Sequence, residues 1–315
     1  MTLLWGFLWG VASVATIAGG AILGVWWERK VSARIQMRYG PQQIGPYGSL
    51  QMIADVPKLL FKEDIVPDLA DKAIFKLAPL FVFGPVATSM VVIPFAAGWA
   101  PVDMSVGILF FLAVPSIEVI AILLSAWASH NTLSTIGGLR ATAQMISYEI
   151  PRSLAVLSVV LLAGSLRPLD VLAAWQWWWA PLTFVGFVIY FIASIAEMNR
   201  GPFDIPEADS ELVAGYFADY SGMRWASFMM AEYGSMIAAS LFGAVVFFGG
   251  GWPLTGAAGV VLLVIKTVLI MTAVMWVKWT FPRPRQDQLM SFCWKVLTPL
   301  ALLQLVVVGA VLPWL

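Results

Sequence analysis

Long apolar runs alternate with short polar ones along the chain. Eight runs, at 3–25, 77–99, 105–128, 142–166, 180–196, 225–248, 256–279 and 292–312, suit helices that cross a bilayer, which takes about 20 residues. The first has no charged segment before it and no clear cleavage site, so it reads as a retained span and not a signal peptide. Between the first two runs the pattern changes. Gly40-Pro41 and Gly45-Pro46 break helix and shape a tight bend. Residues 50–61 then set apolar Leu50, Ile53, Ala54, Leu59, Leu60 and Phe61 against polar Gln51, Asp55 and Lys58, which predicts a short helix lying in the interface. Asp55 and Lys58, three apart on one face, suit a helix-surface ion pair as readily as a functional role. The predicted fold class is an all-α integral membrane protein: eight transmembrane helices with one short interfacial amphipathic helix, in a single membrane domain over 1–315.

Composition points to lipid as the solvent. Hydrophobic residues make up 60% of the chain and charged ones 11%, where a soluble domain carries about 25% charge. The charges also orient it. Arg29, Lys30, Arg34, Arg38, Lys58, Lys62, Lys72 and Lys76 fall in the first loop, out of 18 Lys and Arg in all. Arg140 and Arg152 lie around the third loop, Arg200 and Arg224 in the fifth, and Lys278, Arg283, Arg285 and Lys295 around the seventh. The opposite side carries Arg167. Odd-numbered loops are therefore cytoplasmic, and both termini lie on the other side. Anionic headgroups account equally well for basic residues such as Arg34 and Lys62. The tract Trp175-Gln-Trp177-Trp178-Trp179 predicts an aromatic anchor at the membrane surface, and His130 reads as a surface residue.

Cys293 is the only cysteine and His130 the only histidine, which excludes an iron–sulfur cluster or a bis-histidine haem held by this chain alone. There is no GxGxxG and no Walker loop, hence no nucleotide fingerprint. The candidate chemistry lies in charges within or beside the spans. Glu118 follows Pro115 in the third run, and Lys266 is deep in the seventh. A charge in lipid costs at least about 2.5–3.5 kcal/mol, so each is a functional candidate, and an acid and a base at similar depth invite pairing. Glu118 has a plainer alternative, as a neutral acid bonded to the carbonyl that Pro115 leaves free. Glu149 falls about two turns into the fourth run.

The stretch from Glu197 to Glu232 also holds Asp204, Glu207, Asp209, Glu211 and Asp219, with Arg200 near its start. Asp204 and Glu207 resemble an N-cap with its reaching glutamate. Glu207 and Glu211, four apart, share a helix face, where like charge and desolvation both favour a bound proton. Such groups suit proton transfer, and a cation site is the competing use.

Several motifs, taken in order, form a recognisable series. They are Glu28-Arg-Lys30, Arg38-Tyr-Gly-Pro41, Gly45-Pro-Tyr-Gly48, Ala54-Asp55, Lys58-Leu-Leu-Phe-Lys-Glu-Asp64, Gln144-Met-Ile-Ser-Tyr-Glu149, Asn199-Arg-Gly-Pro-Phe-Asp-Ile-Pro-Glu-Ala-Asp-Ser-Glu-Leu-Val213 and Trp279-Thr-Phe-Pro-Arg-Pro-Arg285. The series resembles the H-subunit family of proton-pumping NADH–quinone oxidoreductases (respiratory complex I), counterparts of the mitochondrial ND-one subunit. The resemblance covers essentially the whole chain. It implies a membrane component at the heel of a membrane arm, meeting the hydrophilic arm and forming much of a quinone tunnel from an interfacial segment at about 28–76. It implies that Glu28, Arg29, Arg38 and Asp55 lie along that tunnel and its mouth. It further implies that Glu149, Glu197, Glu207, Glu211 and Glu232 belong to a glutamate-rich proton path running by the acidic loop at about 197–224. Asp204 would lie beside that path and Arg200 would be a structural counter-charge. Glu118 joins the path on the strength of its own position in the membrane.

The same resemblance makes quinone (ubiquinone or menaquinone) the substrate and assigns flavin and iron–sulfur clusters to partner subunits. No catalytic residue, covalent cofactor or metal is expected here. The implied partners are other membrane and hydrophilic subunits of the complex, quinone and lipid, with no nucleic acid, in a bacterial inner (plasma) membrane. The bend departs from the family, reading Gly40-Pro41-Gln42-Gln43 where Gly-Pro-Asn-Arg is usual, one basic group fewer.

Two other readings stay open. One is the homologous membrane subunit of an ion-pumping hydrogenase, or of a dehydrogenase using ferredoxin or a deazaflavin as donor. The other is a free-standing secondary transporter with a midplane site, although no internal repeat is visible and the large polar face suits docking. Purified alone, the chain should show no visible chromophore and no oxidoreductase activity by absorbance, metal analysis and donor oxidation. A stoichiometric iron, haem or flavin signal overturns that division of labour.

Overall fold

The computed structural model describes residues 2–96 and 98–314. Eight helices are long and apolar enough to cross a membrane: Leu8–Ile35, Lys72–Val92, Gly107–Ala128, Thr132–Ala163, Trp179–Glu197, Gly222–Phe248, Gly256–Thr280 and Gln286–Trp314. They are called the first to eighth spans below. A shorter helix, Gln51–Phe61, follows the bend after the first span. Among the described residues the β-structure is one isolated bridge, Ala96 to Trp99.

Several helices outrun the apolar runs that betray them. The fourth begins at Thr132, ten residues ahead of the run, because Asn131 caps it by accepting the Leu133 N–H at 3.1 Å. The second starts at Lys72 behind Asp71, whose carboxylate accepts the Ala73 N–H at 3.3 Å. The third is two pieces, Gly107–Ala113 and Pro115–Ala128, since Pro115 has no N–H to continue the first.

The sixth span is the hub. It packs against the second, first, fifth and seventh, while the fourth packs against the third, fifth and eighth. Small residues allow these approaches, as is usual where lipid gives no hydrophobic drive for helices to associate. A Cβ on Gly138 would lie 2.3 Å from that of Ala126 in the third span, and one on Gly234 would lie 2.9 Å from Ile17 in the first. Aromatic stacks fill the wider gaps, with Phe111 on Phe242 at 3.9 Å and Phe75 on Tyr220 at 4.0 Å. The first, seventh and eighth spans turn most of their surface outward. The tryptophan tract divides: Trp177 is exposed, but Trp175 and Trp179 are buried against the bundle, Trp175 donating to the Phe247 carbonyl at 3.3 Å. It is thus only partly the surface anchor that its composition suggests.

On the face opposite the acidic loop an exposed clasp joins two loops. Arg167 grips Asp103 with both Nε and Nη2 and also reaches Asp170 at 3.3 Å, while Ser165 donates to Asp170 at 2.8 Å.

Lys266 does not pair with Glu118, contrary to the expectation from depth. Its Nζ donates to the carbonyls of Phe248 and Gly250, both at 2.8 Å, and of Trp252 at 2.9 Å. These end the sixth span and turn the chain into the seventh. The carbonyl end of a helix is its negative pole, so the ammonium finds both acceptors and field there. Lys266→Met should lower the melting temperature of the assembled protein, because hydrogen bonds to a charged group are worth about 1.5–3 kcal/mol each. Differential scanning fluorimetry reads this, and an unchanged midpoint means the three bonds contribute nothing.

Candidate functional site

Two buried clusters and one loop hold the candidate residues. The first cluster ties the fifth loop to the first, sixth and seventh spans. Arg200, 2% exposed, pairs through Nη1 with Glu28 at 2.8 Å and through Nε with Glu232 at 2.7 Å. Its guanidinium lies 4.2 Å over the Tyr233 ring. Burial alone would weaken its hold on the charge, but the Glu232 and Glu28 carboxylates more than reverse this and keep it protonated. Glu28 also accepts from Lys278 and from the Tyr233 hydroxyl, each at 2.7 Å. Two acids and two bases thus meet and cancel, which is the arrangement that makes buried charge tolerable.

The second cluster lies between the third, fourth, fifth and sixth spans. Arg152 and Glu197, 4% and 7% exposed, form an ion pair. Both line a cavity of about 30 Å³, together with Glu118, Ser194 and Ser235. Glu149, one turn before Arg152, accepts from Ser116 of the third span at 2.6 Å. The side chain of Gln144 positions the end of the fifth span by donating to the Ala196 and Phe203 carbonyls at 2.6 and 2.9 Å. Here two carboxylates, Glu118 and Glu197, line the cavity with one cation, and Glu149 acts on Glu197 from beside it.

The acidic loop bridges the two. It seats on the fourth span where Gly137 meets Gly215: a Cβ on Gly137 would lie 2.9 Å from the Gly215 Cα. One on Gly215 (φ +61°) would strike the Pro206 carbonyl at 2.1 Å. Only glycine serves at Gly215, for both reasons. This contact brings the Tyr216 hydroxyl to Glu207, to which it donates at 2.9 Å. Burial first, and then the neighbouring Glu232 charge, push the Glu207 carboxyl up to about 8. Burial and Glu207 hold the Tyr216 phenol well above its ordinary range, so it stays a donor.

Two details of the loop differ from expectation. Glu207 and Glu211 do not share a helix face, because Ala208 has extended ψ of 104° between the short turns Ile205–Glu207 and Asp209–Leu212. Glu211 instead points outward and pairs with Arg140 at 2.8 Å. Asp204 makes no side-chain cap; both its oxygens accept from Arg283 at 2.7 Å.

The expected tunnel residues also separate. Glu28 faces the bundle interior, whereas Arg29, next to it, faces out and reaches Asp55 at 3.5 Å. Asp55 further pairs with Lys58 at 3.6 Å and accepts from Gln51 at 3.3 Å. Arg38 is exposed and donates to Gln36 at 2.6 Å. Arg152 went unrecognised as a site residue, counted among the loop cations that orient the chain. It lies within the fourth span, and its place inside the apolar run 142–166 was the available signal. Among the described residues, no group of three His, Cys, Asp or Glu could hold a metal.

Residues 9–309 match the family described as NADH dehydrogenase. The chain is 42% identical to the NADH-quinone oxidoreductase H subunit of Brevibacillus brevis, over 99% of this chain and 95% of that one. It is 44% identical to the H subunit of Anoxybacillus flavithermus, over 97% and 93%, and 46% identical to that of Bacillus mycoides, over 91% and 87%.

Glu207 makes the loop sensitive to pH in a defined direction. The folded protein keeps this proton up to about 8, while an unfolded chain releases it near the ordinary 4.5. The folded state therefore binds more protons in that window, and the contribution to stability present at low pH is lost as pH rises through it. Melting curves from about pH 5 to about pH 9 should fall less steeply for Glu207→Gln than for the parent. Parallel curves would mean that Glu207 ionises as an ordinary carboxylate.

Proposed function

This chain belongs to the NADH dehydrogenase family, and from that premise we propose that it couples quinone chemistry at one membrane face to proton movement through its buried carboxylates. It is an integral membrane subunit of an NADH–quinone oxidoreductase. In this reading it works in a bacterial plasma membrane. Hydrophilic partner subunits carry the flavin and iron–sulfur clusters, since a single Cys and a single His on this chain cannot by themselves hold an iron–sulfur cluster or a bis-histidine haem. Quinone, as ubiquinone or menaquinone, approaches along the segment from Glu28 to the interfacial helix, where Arg29, Arg38 and Asp55 supply charge at the membrane surface.

The observation that carries the proposal is a succession of polar groups leading inward from the surface, some bonded and others within electrostatic reach. From the Asp55–Arg29 surface pair it passes one residue inward to Glu28, then through Arg200 to Glu232. Glu232 acts electrostatically on Glu207, Glu207 bonds Tyr216, and Tyr216 lies within electrostatic reach of Glu118. Glu118 shares its cavity with Glu197, and Glu149 stands beside it. Reducing a quinone to a quinol takes up two electrons and two protons, so charge near Asp55 changes with each turnover. A chain of coupled ion pairs passes such a change inward as a shift in which carboxyl holds a proton. Asp204 and Glu211 flank this succession at the surface, with Arg283 and Arg140 as their partners.

The test compares two acceptors in membranes containing the assembled complex. Asp55→Asn or Arg38→Gln should lower NADH oxidation with quinone about tenfold or more, the loss of about 1.4 kcal/mol of transition-state stabilisation, while leaving oxidation with a water-soluble acceptor intact. Undiminished quinone reduction in both variants removes the quinone role from this segment.

A further inference from the structure

Resting on the proton-path reading above, we propose that Arg152 is the counter-cation of one proton shared between Glu118 and Glu197, holding one carboxylate ionised while the other keeps the proton.

The geometry is that of an unfinished ion cluster. Arg152 is 4% exposed, yet of its guanidinium donors only Nη1 meets a partner, Glu197. Nε and Nη2 are buried with none, while Ser235 lies within reach of Glu118 and Ser194 of Tyr190. A buried guanidinium with idle donors is costly, and here those donors belong to a residue lining the same cavity as Glu118, Glu197 and both serines. At about 30 Å³ the cavity admits water, given its polar lining. Arg200 too has a buried Nη2 without a partner, but two carboxylates, Glu28 and Glu232, already hold it. Arg152 has spare donors for a second carboxylate lining the same cavity.

The charges lead to the same place. Glu118 of the third span and Glu197 of the fifth both feel Arg152, and each is the other's neighbour. Glu149 of the fourth span acts on Glu197, Tyr190 of the fifth span interacts with Arg152 and Glu197, and Tyr216 of the loop faces Glu118. The sixth span offers only the hydroxyl of Ser235 to the cavity as a polar group. One guanidinium balances one carboxylate, and two carboxylates beside it in low dielectric do not both stay ionised.

The transfer step is a proton relay with no redox change. The O–H of the Glu118 carboxyl breaks as its proton passes to cavity water. That water gives up a proton to the free oxygen of Glu197, and Arg152 turns to the new carboxylate. The net charge is unchanged throughout. Arg152 touches no substrate; it is a positioning residue.

Infrared spectroscopy of the whole detergent-solubilised complex reads the proton directly, by the carbonyl stretch of a protonated carboxylic acid. A shared proton makes an unusual prediction: Glu118→Gln and Glu197→Gln should each abolish the same acid band, because either leaves one cavity carboxylate for one guanidinium, Glu149 lying outside the lining with Ser116 as its partner. If the band survives in Glu197→Gln, Glu118 holds its proton independently and the proposal is overturned. Arg152→Leu should strengthen the band and extend it to higher pH, and Arg152→Lys should restore the parent spectrum. An unchanged band in assembled Arg152→Leu also overturns the proposal, and if that variant does not assemble, the two glutamine variants decide alone. Proton pumping per NADH in liposomes separates the two readings. Band loss with undiminished pumping keeps the shared proton and removes this cluster from the proton path.

Discussion

The burial of Arg200 between Glu28 and Glu232 is the interaction on which the half of this bundle beside the acidic loop depends. One arginine reaches from the fifth loop to the first and sixth spans, and Lys278 adds the seventh through Glu28. Removing one member of such a buried pair typically costs about 3–5 kcal/mol, because the remaining charge is stranded. The loop after Arg200 consequently has a fixed starting point. Gln144 secures the same turn from the fourth span, and the Gly137–Gly215 approach secures its far end. Between these anchors the loop has little choice about where Glu207 and Tyr216 lie.

The two buried arginines carry different consequences. The Arg200 cluster is charge-neutral, two acids against two bases. The Arg152 cluster has more acid than base and an adjoining cavity. Neutral and closely paired in one case, acid-rich beside a cavity in the other, they meet the cost of buried charge in different ways.

Hydropathy locates all eight spans because lipid leaves a backbone no alternative to helix. It misplaces several ends for the same reason: Thr132 to Ala141 forms helix by capping and by packing on the acidic loop, not by facing lipid. Candidate acids are legible too, since a carboxylate inside or beside an apolar run stands out. Their partners are not. Lys266 and Glu118 match in sequence depth, yet the carbonyls closing the sixth span are nearer acceptors for the lysine. Glu207 and Glu211 have helical spacing, but Ala208 turns them apart. Arg152 resembles a loop cation until the fourth helix is seen to carry it inside. Pairing depends on side-chain reach across spans far apart in sequence, which no single-span pattern contains.

The clasp of Arg167 with Asp103 and Asp170 stands in water, whereas the arginine clusters do not. Dissolved ions screen exposed charges over about 10 Å at 0.1 M salt, and they have little access to charges enclosed among helices. Ionic strength is therefore a one-sided reagent for this protein. Raising it relaxes the joint between the two loops opposite the acidic loop, and leaves the knot around Arg200 as tight as before.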